Sequence, residues 1–446
     1  MSSMSERVKE EYKKKLISPE DAIKLVKSDT DIISGLAAAE GRLFLQQLYK
    51  AKDRVKNVSV LTCLPMLDYD FYTKPDAVGH FYHEGWFFTG PMRAASDQIN
   101  SYVPNHLHMA ANDRLTYRKP HIFTGVATPP DKNGYMSLSL SATYELEMIE
   151  NAEFVILEVN PKFPKTFGDV TIHISQVTHI IEADYEPPEI PIPQSNERDF
   201  QISEHIAQFL EDGNTIQLGI GGMPNAVGMA LAKYNLKDIG IHTEMLTSGM
   251  VDLFEAGVIN GKRKTLLPGK MVAAFALGDK KLYDFIHENP GVVINRGSWV
   301  NDPYVIAFNY KQISINSALE IDLTGQVCSE SIGPVQFSGT GGQADTAIGA
   351  QRSKGGGKSF ICLYSTANVK DKATGERKPV SKIVPMLQPG AKVTLHRSNV
   401  DYVVTEHGVV RFKGLSVRDR AKKLISIAHP DFRAQLQEEA QKLRYI

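Results

Sequence analysis

Short apolar runs separated by stretches of helical periodicity recur along the whole chain. In the first half, Asp31 to Leu36, Val58 to Leu64, His121 to Val126 and Phe154 to Val159 read as buried strands. Between them, Pro19 to Lys27 and Glu40 to Ala51 repeat apolar residues at helical spacing. In the second half, Thr215 to Ile220, Ile239 to Leu246, Val292 to Ile294, Phe360 to Tyr364 and Val393 to His396 are strand candidates between helices. Ser416 to Ala428 and Asp431 to Lys442, separated by Pro430, read as amphipathic helices that cover a sheet. Continuous apolar strands alternating with helices predict parallel sheets with both faces covered, so both halves read as α/β, two versions of one architecture. The stretch from Glu186 to Ser195 carries four prolines in ten residues. Prolines forbid a helix there and favour an extended linker, which predicts domains at 1–190 and 196–446.

The pattern is most informative around Glu244, which follows Gly219 of the turn Gly219-Ile-Gly-Gly-Met-Pro224 by 25 residues. Residues 214 to 220 predict a strand, Pro224 to Tyr234 a helix with proline in its first turn, and Ile239 onward a second strand. If the strands are parallel neighbours, a right-handed crossover sets their carboxyl ends side by side, where open α/β sheets bind ligands. Glu244 is then a carboxylate beside a cradle of backbone N–H groups, whose unpaired donors at a helix start suit an anion. By itself this spacing fits an ordinary strand-end glutamate as well as a nucleophile. The turn is not a dinucleotide fingerprint, since Pro224 stands where the third glycine belongs and Asp238 precedes the second strand. A second glycine-rich turn, Ser338-Gly-Thr-Gly-Gly-Gln-Ala-Asp345, opens a predicted helix from Gln343 to Arg352, and two such turns favour a nucleotide-like ligand. Ser353 to Ser359 is not a P-loop, because its first glycine is Arg352; the glycine run at 355–357 reads as a surface loop.

Composition narrows the chemistry. The 446 residues carry a formal charge of −1 and are 42% hydrophobic, enough for two cores and unlike a protein built to cover a nucleic-acid backbone. No run of about 18 apolar residues occurs, and the first residues, including Lys13-Lys14-Lys15, are charged, so the expected protein is cytoplasmic, without membrane or nucleic-acid partners. Cys63, Cys328 and Cys362 are odd in number and far apart, which indicates neither a disulfide framework nor a metal site. Cys328, in the predicted hairpin Leu323 to Cys328, reads as a buried thiol rather than a nucleophile. No G-x-S-x-G elbow exists, and neither His83-Glu84 nor Glu406-His407 has the second histidine of a zinc motif.

Over nearly its whole length the chain resembles the acetyl-CoA hydrolase/transferase family of class I CoA-transferases, which includes butyryl-CoA:acetate and 4-hydroxybutyrate CoA-transferases. The resemblance lies in Gly219-Ile-Gly-Gly-Met-Pro-Asn225, His242-Thr-Glu-Met245, Ser314 to Asp322, Gly339 to Asp345, Val404 to Val409 and Ile427 to Arg433. In the amino-terminal half, Asp131 to Tyr135, Val159-Asn-Pro161 and Gly168-Asp169 look like further landmarks. It implies two tandem α/β domains of the NagB/RpiA-like type with a ligand cleft between them. It also implies that Glu244, in the carboxyl-terminal domain, is the nucleophile of a ping-pong reaction passing through a glutamyl-CoA thioester, with no permanent cofactor and coenzyme A as carrier. The implied CoA contacts are Gly219, Ile220, Gly221, Gly222, Met223, Leu319, Gly342 and, where relatives have a lysine, Asn368. That departure leaves Lys358, Lys370 or Arg352 to meet the CoA phosphates. Phe167, where many relatives carry histidine, favours an apolar acyl chain such as butyryl or propionyl. The aromatic stretch Phe81 to Phe88 reads first as core. The resemblance implies a homodimer acting on a short-chain acyl-CoA and a carboxylate such as acetate. Alternatives are a 4-hydroxybutyrate, propionyl or succinyl type of transferase, an acetyl-CoA hydrolase, and a CoA-binding regulator without catalysis.

Overall fold

A computed structural model describes residues 4–95, 99–191, 194–219, 222–370 and 375–446. The chain forms two compact units: residues 1–191 with 243–251 and 270–301, and residues 192–242 with 252–269 and 302–446.

The first unit is built on a seven-stranded sheet. Its strands are β1 (Asp31–Ser34), β2 (Val58–Cys63), β3 (Phe81–Phe87), β4 (Asn100–Tyr102), β5 (Ile122–Ala127), β6 (Phe154–Val159) and β7 (His179–Glu182), in spatial order β4-β3-β2-β1-β5-β6-β7. Every neighbouring pair is parallel. The apolar runs β1, β2 and β5 are buried throughout, as a sheet covered on both faces requires. Phe44, Leu45, Leu48, Tyr69, Phe71, Tyr72 and Phe81 pack into one core with Val58, Val60 and Ile122. The chain builds outward from β1 to β4, then restarts on the other side of β1 with β5. That reversal is a topological switch point, at the carboxyl ends of β1 and β5.

The second unit repeats the principle. Its sheet contains β8 (Thr215–Leu218), β9 (Gly240–Ile241), β10 (Gln312–Ser317), β11 (Lys358–Cys362), β12 (Tyr402–Thr405) and β13 (Gly408–Arg411), in order β9-β8-β10-β11-β12-β13. Only the edge pair β12–β13 is antiparallel. The switch point falls between β8 and β10. Leu323, Ile361, Val403, Phe412 and Leu424 centre its core, with the helix Val417–Ile427 covering it. Ser416 caps that helix by accepting from the Asp419 amide.

Most expected elements form within a few residues of their bounds, and three differ. The helix after Gly219 spans Gly222–Lys233, so Pro224 stands third rather than first; its missing N–H costs nothing within the first turn, where no intrahelical acceptor exists. Ile239 to Leu246 is not one strand: it splits into β9 and Met245–Leu246, which pairs with Phe275–Ala276. Val393 to His396 makes only a single bridge, Leu395 to Val327. A fourth difference concerns Glu244, which belongs to the first unit and not to the carboxyl-terminal one. The His242 amide still bonds Ile216 of β8, whereas the next amide, of Thr243, bonds Val272. Long-range pairing, invisible to local spacing, claims that segment.

At the amino edge of the first sheet the Asp31 carboxylate is sealed in by Arg114 and Arg118, each at 2.6 Å. Burial nevertheless pushes its pKa up, against the pull of both guanidinium groups. Arg114→Met should therefore cost about 3 kcal/mol, because it strips one partner from a buried charge, while Arg114→Met with Asp31→Asn should cost less. Urea denaturation of the two variants checks this; a double variant no more stable than the single one refutes it.

Candidate functional site

Glu244 stands at a bend just past β9, half-buried. Its backbone carbonyl accepts from the amides of Ala274 (2.9 Å) and Phe275 (3.1 Å), which clamps the bend to the next strand. Its Oε2 accepts from Asn301 Nδ2 at 2.9 Å. Asn301 is fully buried and ends the short helix Gly297–Val300. That helix is fixed at its start: the Gly297 amide donates to the Thr143 carbonyl at 3.0 Å, and a Cβ on residue 297 would lie 2.6 Å from that oxygen. The glycine therefore permits the approach that sets Asn301 against the carboxylate. A neutral amide can orient a carboxylate without neutralising it.

Around the first sheet's switch point lies a set of buried acids. Glu145 accepts from the amides of Leu36 and Tyr144, both at 2.9 Å, and so pins the loop that follows β1. Burial raises its pKa against those bonds. Burial lifts Glu40 to about 8 with only partial relief from the Tyr69 hydroxyl and then the Met66 amide at 3.3 Å, and lifts Glu158 to about 7. Cys63, the last residue of β2, is also buried; burial pushes its thiol well up, and the charges of Glu244 and Glu145 push the same way. Cys63 is thus a neutral thiol in the field of Glu244.

In the second unit, Gly219 and Leu319 follow the two strands of the switch point, β8 and β10. A Cβ on Gly219 would meet nothing closer than 4.0 Å, so this glycine leaves open space rather than relieving a clash. Gly222 opens its helix, where a Cβ would fall 2.6 Å from Asp199 Oδ2, and Met223 is buried in the first turn. Ile220 and Gly221 lie outside the described residues. Leu319 is half-buried, its amide on the Cys328 carbonyl at 2.9 Å. Gly342 is the N-cap of the helix Gln343–Arg352. Gly219, Leu319 and Gly342 therefore share the carboxyl edge of one sheet. Asn368 is exposed and sits on a hairpin strand, opposite Pro379, rather than in a turn; Lys370 is on the same strand. Arg352 ends its helix and Lys358 begins β11, which places both at the amino edge of the sheet, away from the glycine turns. Phe167 is half-buried; its carbonyl accepts from Ile294, whose strand pairs with Met271–Ala273 beside the Glu244 bend. Among the described residues no cluster of His, Cys, Asp and Glu could hold a metal ion, and no helix is long and apolar enough to cross a membrane.

Sequence reasoning missed Asn301, Glu145 and Cys63. Asn301 carries no local signal, since 57 residues separate it from its partner. The glycine at 297, which opens that short helix, is the feature that marks its placement.

Residues 1–193 match the acetyl-CoA hydrolase/transferase N-terminal domain, and residues 278–440 match the C-terminal domain of the same family. The succinyl-CoA:cyclohexane-1-carboxylate CoA transferase of Geobacter metallireducens is 41% identical, over 98% of this chain and 97% of its own. The 4-hydroxybutyrate coenzyme A transferase of Clostridium kluyveri is also 41% identical, over 97% and 98%. The probable butyrate:acetyl-CoA coenzyme A-transferase of Syntrophomonas wolfei is 40% identical, over 99% and 98%. The crystal structure of RipA from Yersinia pestis superposes with a TM-score of 0.88 at 33% identity, covering 98% of this chain and 100% of that one. The chain belongs to the acetyl-CoA hydrolase/transferase family. Within that family it is an enzyme of the CoA-transferase kind.

The buried acid Glu40 makes stability depend on pH in a defined direction. Unfolded, its carboxyl titrates near 4.5; folded, at about 8. Between these values the native state keeps a proton that the unfolded chain has released, so stability falls as pH rises, by about 1.4 kcal/mol per pH unit for one proton. Below this window both states are protonated, and above it both are ionised. Glu40→Gln should flatten that slope, leaving the smaller window of Glu158 in place. Denaturation midpoints followed from about pH 5 to pH 8 test this, and parallel slopes for both proteins would refute it.

Proposed function

We propose that this enzyme moves CoA from a short-chain acyl-CoA, such as butyryl-CoA, to a carboxylate such as acetate, with Glu244 as the covalent carrier. The observation that carries the reading is the Glu244 carboxylate, clamped through its backbone and oriented by the buried Asn301 amide at 2.9 Å.

In the proposed sequence a Glu244 oxygen attacks the acyl thioester carbonyl. A C–O bond forms, the C–S bond breaks, and CoA leaves as thiolate. The thiolate then attacks the glutamyl carbonyl of the mixed anhydride, which releases the first acid as its carboxylate and leaves a glutamyl-CoA thioester. The acceptor carboxylate repeats the two steps in reverse and restores Glu244. Electron pairs move without net oxidation, and each half-reaction stands alone, so the kinetics are ping-pong. The Asn301 amide holds the carboxylate in its attacking geometry, and the same N–H can meet the oxyanion that develops when the glutamyl carbonyl is attacked. Backbone N–H groups of the 219–223 turn, with Leu319, Gly342 and Asn368, are assigned to CoA. An apolar Phe167 favours an alkyl over a hydroxylated acyl chain. On this reading the enzyme works in the cytoplasm as a homodimer.

Glu244→Gln should abolish transfer by several orders of magnitude while CoA still binds, because an amide cannot form the anhydride. Mass analysis of the peptide containing Glu244, after mixing with butyryl-CoA alone, should find CoA attached in the native protein and not in the variant. Transfer retained in Glu244→Gln would mean another carboxylate is the carrier, and release of free CoA at a rate independent of acetate would mean a hydrolase. Asn301→Ala should lower kcat about 10²-fold with a small change in KM, as expected for loss of orientation rather than binding; steady-state kinetics with a kcat within about twofold of native would remove Asn301 from the site.

A further inference from the structure

We propose that Gln217, Ser314, Asn316 and Thr346 are positioning residues for CoA: a hydrogen-bonded row that locks the two glycine turns of the second unit to each other. The proposal rests on the reading that these turns bind CoA.

Strands inside a parallel sheet are normally rows of Val, Ile and Leu. Here the two strands at the switch point carry polar side chains in register: Gln217 of β8 pairs with Ser314 of β10, and Asn316 follows two residues on, on the same face. Gln217, Ser314 and Thr346 are buried, and Asn316 is half-buried at the strand end. Gln217 Oε1 accepts from Ser314 Oγ at 3.0 Å and from the Ile315 amide at 3.3 Å. Asn316 Nδ2 donates to Ser314 Oγ at 2.9 Å and to Thr346 Oγ1 at 3.1 Å. Ser314 Oγ also lies 3.0 Å from Thr346 Oγ1, on the helix Gln343–Arg352. Gln343, the first residue of that helix, adds a tie from its Nε2 to the Ser317 carbonyl at 2.8 Å.

The row adjoins both turns along the chain. Gln217 is two residues before Gly219, and Thr346 is one helical turn after Gly342. Burying amides and hydroxyls costs free energy unless they are paired, and a paired network admits one geometry where an apolar row would tolerate sliding. A sheet that needed only stability at this point would be served by Val and Leu. What the polar row adds is a fixed offset between the strand that ends in one turn and the helix that starts from the other. Both turns offer N–H groups to the same ligand on the proposed reading, so that offset sets how many of them CoA reaches at once.

Thr346→Val keeps the shape and removes the hydroxyl, whereas Thr346→Ser keeps the hydroxyl. The expected result is a KM for acyl-CoA raised about tenfold in the valine variant and restored to within about twofold by serine. The KM for the acceptor carboxylate should move by less than about twofold and kcat by less than about threefold. A merely structural role would lower the melting temperature without that split. An unchanged KM for acyl-CoA, or equal rises for both substrates, overturns the proposal. Asn316→Ala, at the half-buried end of the row, carries the same test if the valine variant does not fold. Absence of a CoA adduct on Glu244 in the native protein would defeat the underlying function; an adduct in native protein and Thr346→Val alike, with KM unmoved, defeats this proposal alone.

Discussion

Parallel strands joined by right-handed crossovers impose the constraint on which the rest of this molecule depends. Each sheet's first strand has neighbours on both sides, so each has one place where neighbouring strands send their chains to opposite sides. At such a place the loops after the two strands diverge, which is where open α/β sheets bind ligands. In the first unit that place is β1/β5, where Glu145 pins the following loop; in the second it is β8/β10, from which Gly219 and Leu319 depart. Gly219, Leu319 and Gly342 lie on elements that the second edge organises.

Within the first unit, the chemistry depends on what surrounds a single carboxylate. Glu244 is held at its backbone by two amides and at its side chain by Asn301, while elsewhere in the same unit Glu40 and Glu158 are lifted toward neutrality by burial. Cys63 is kept as a thiol by the same burial, so the strongest nucleophile type in the chain is silent beside the weaker carboxylate. On the proposed reading, the local electrostatics separate the carboxylate that reacts from a thiol that does not.

How far this was legible in the residues depends on the range of the interaction behind each feature. Phe154–Val159 and Gln343–Arg352 form with the bounds their patterns predict, because apolar runs and turn glycines act over a few residues. The parallel pairing of β8 with β9 was likewise implied by one helix between two short strands. The same pattern misled at Ile239 to Leu246, where an apolar run that looks like one strand is shared between two sheets. Lys358 and Arg352 were plausible anion partners by charge alone, yet the direction of β11 and of the helix before it carries both to the far edge.

By itself, the sequence determined that there would be two α/β units, that glycine turns would follow strands at 219 and open a helix at 343, and that Glu244 would come just after a short strand. These follow from periodicity and from the backbone freedom of glycine, both properties of neighbouring residues. Only the tertiary structure decided that 243–251 joins the first unit, that Asn301 meets Glu244 across 57 residues, and that Gln217, Ser314, Asn316 and Thr346 converge. Their partners are chosen by strand order and register, which depend on the free energy of the whole packed sheet and leave no mark on the residues adjacent in the chain.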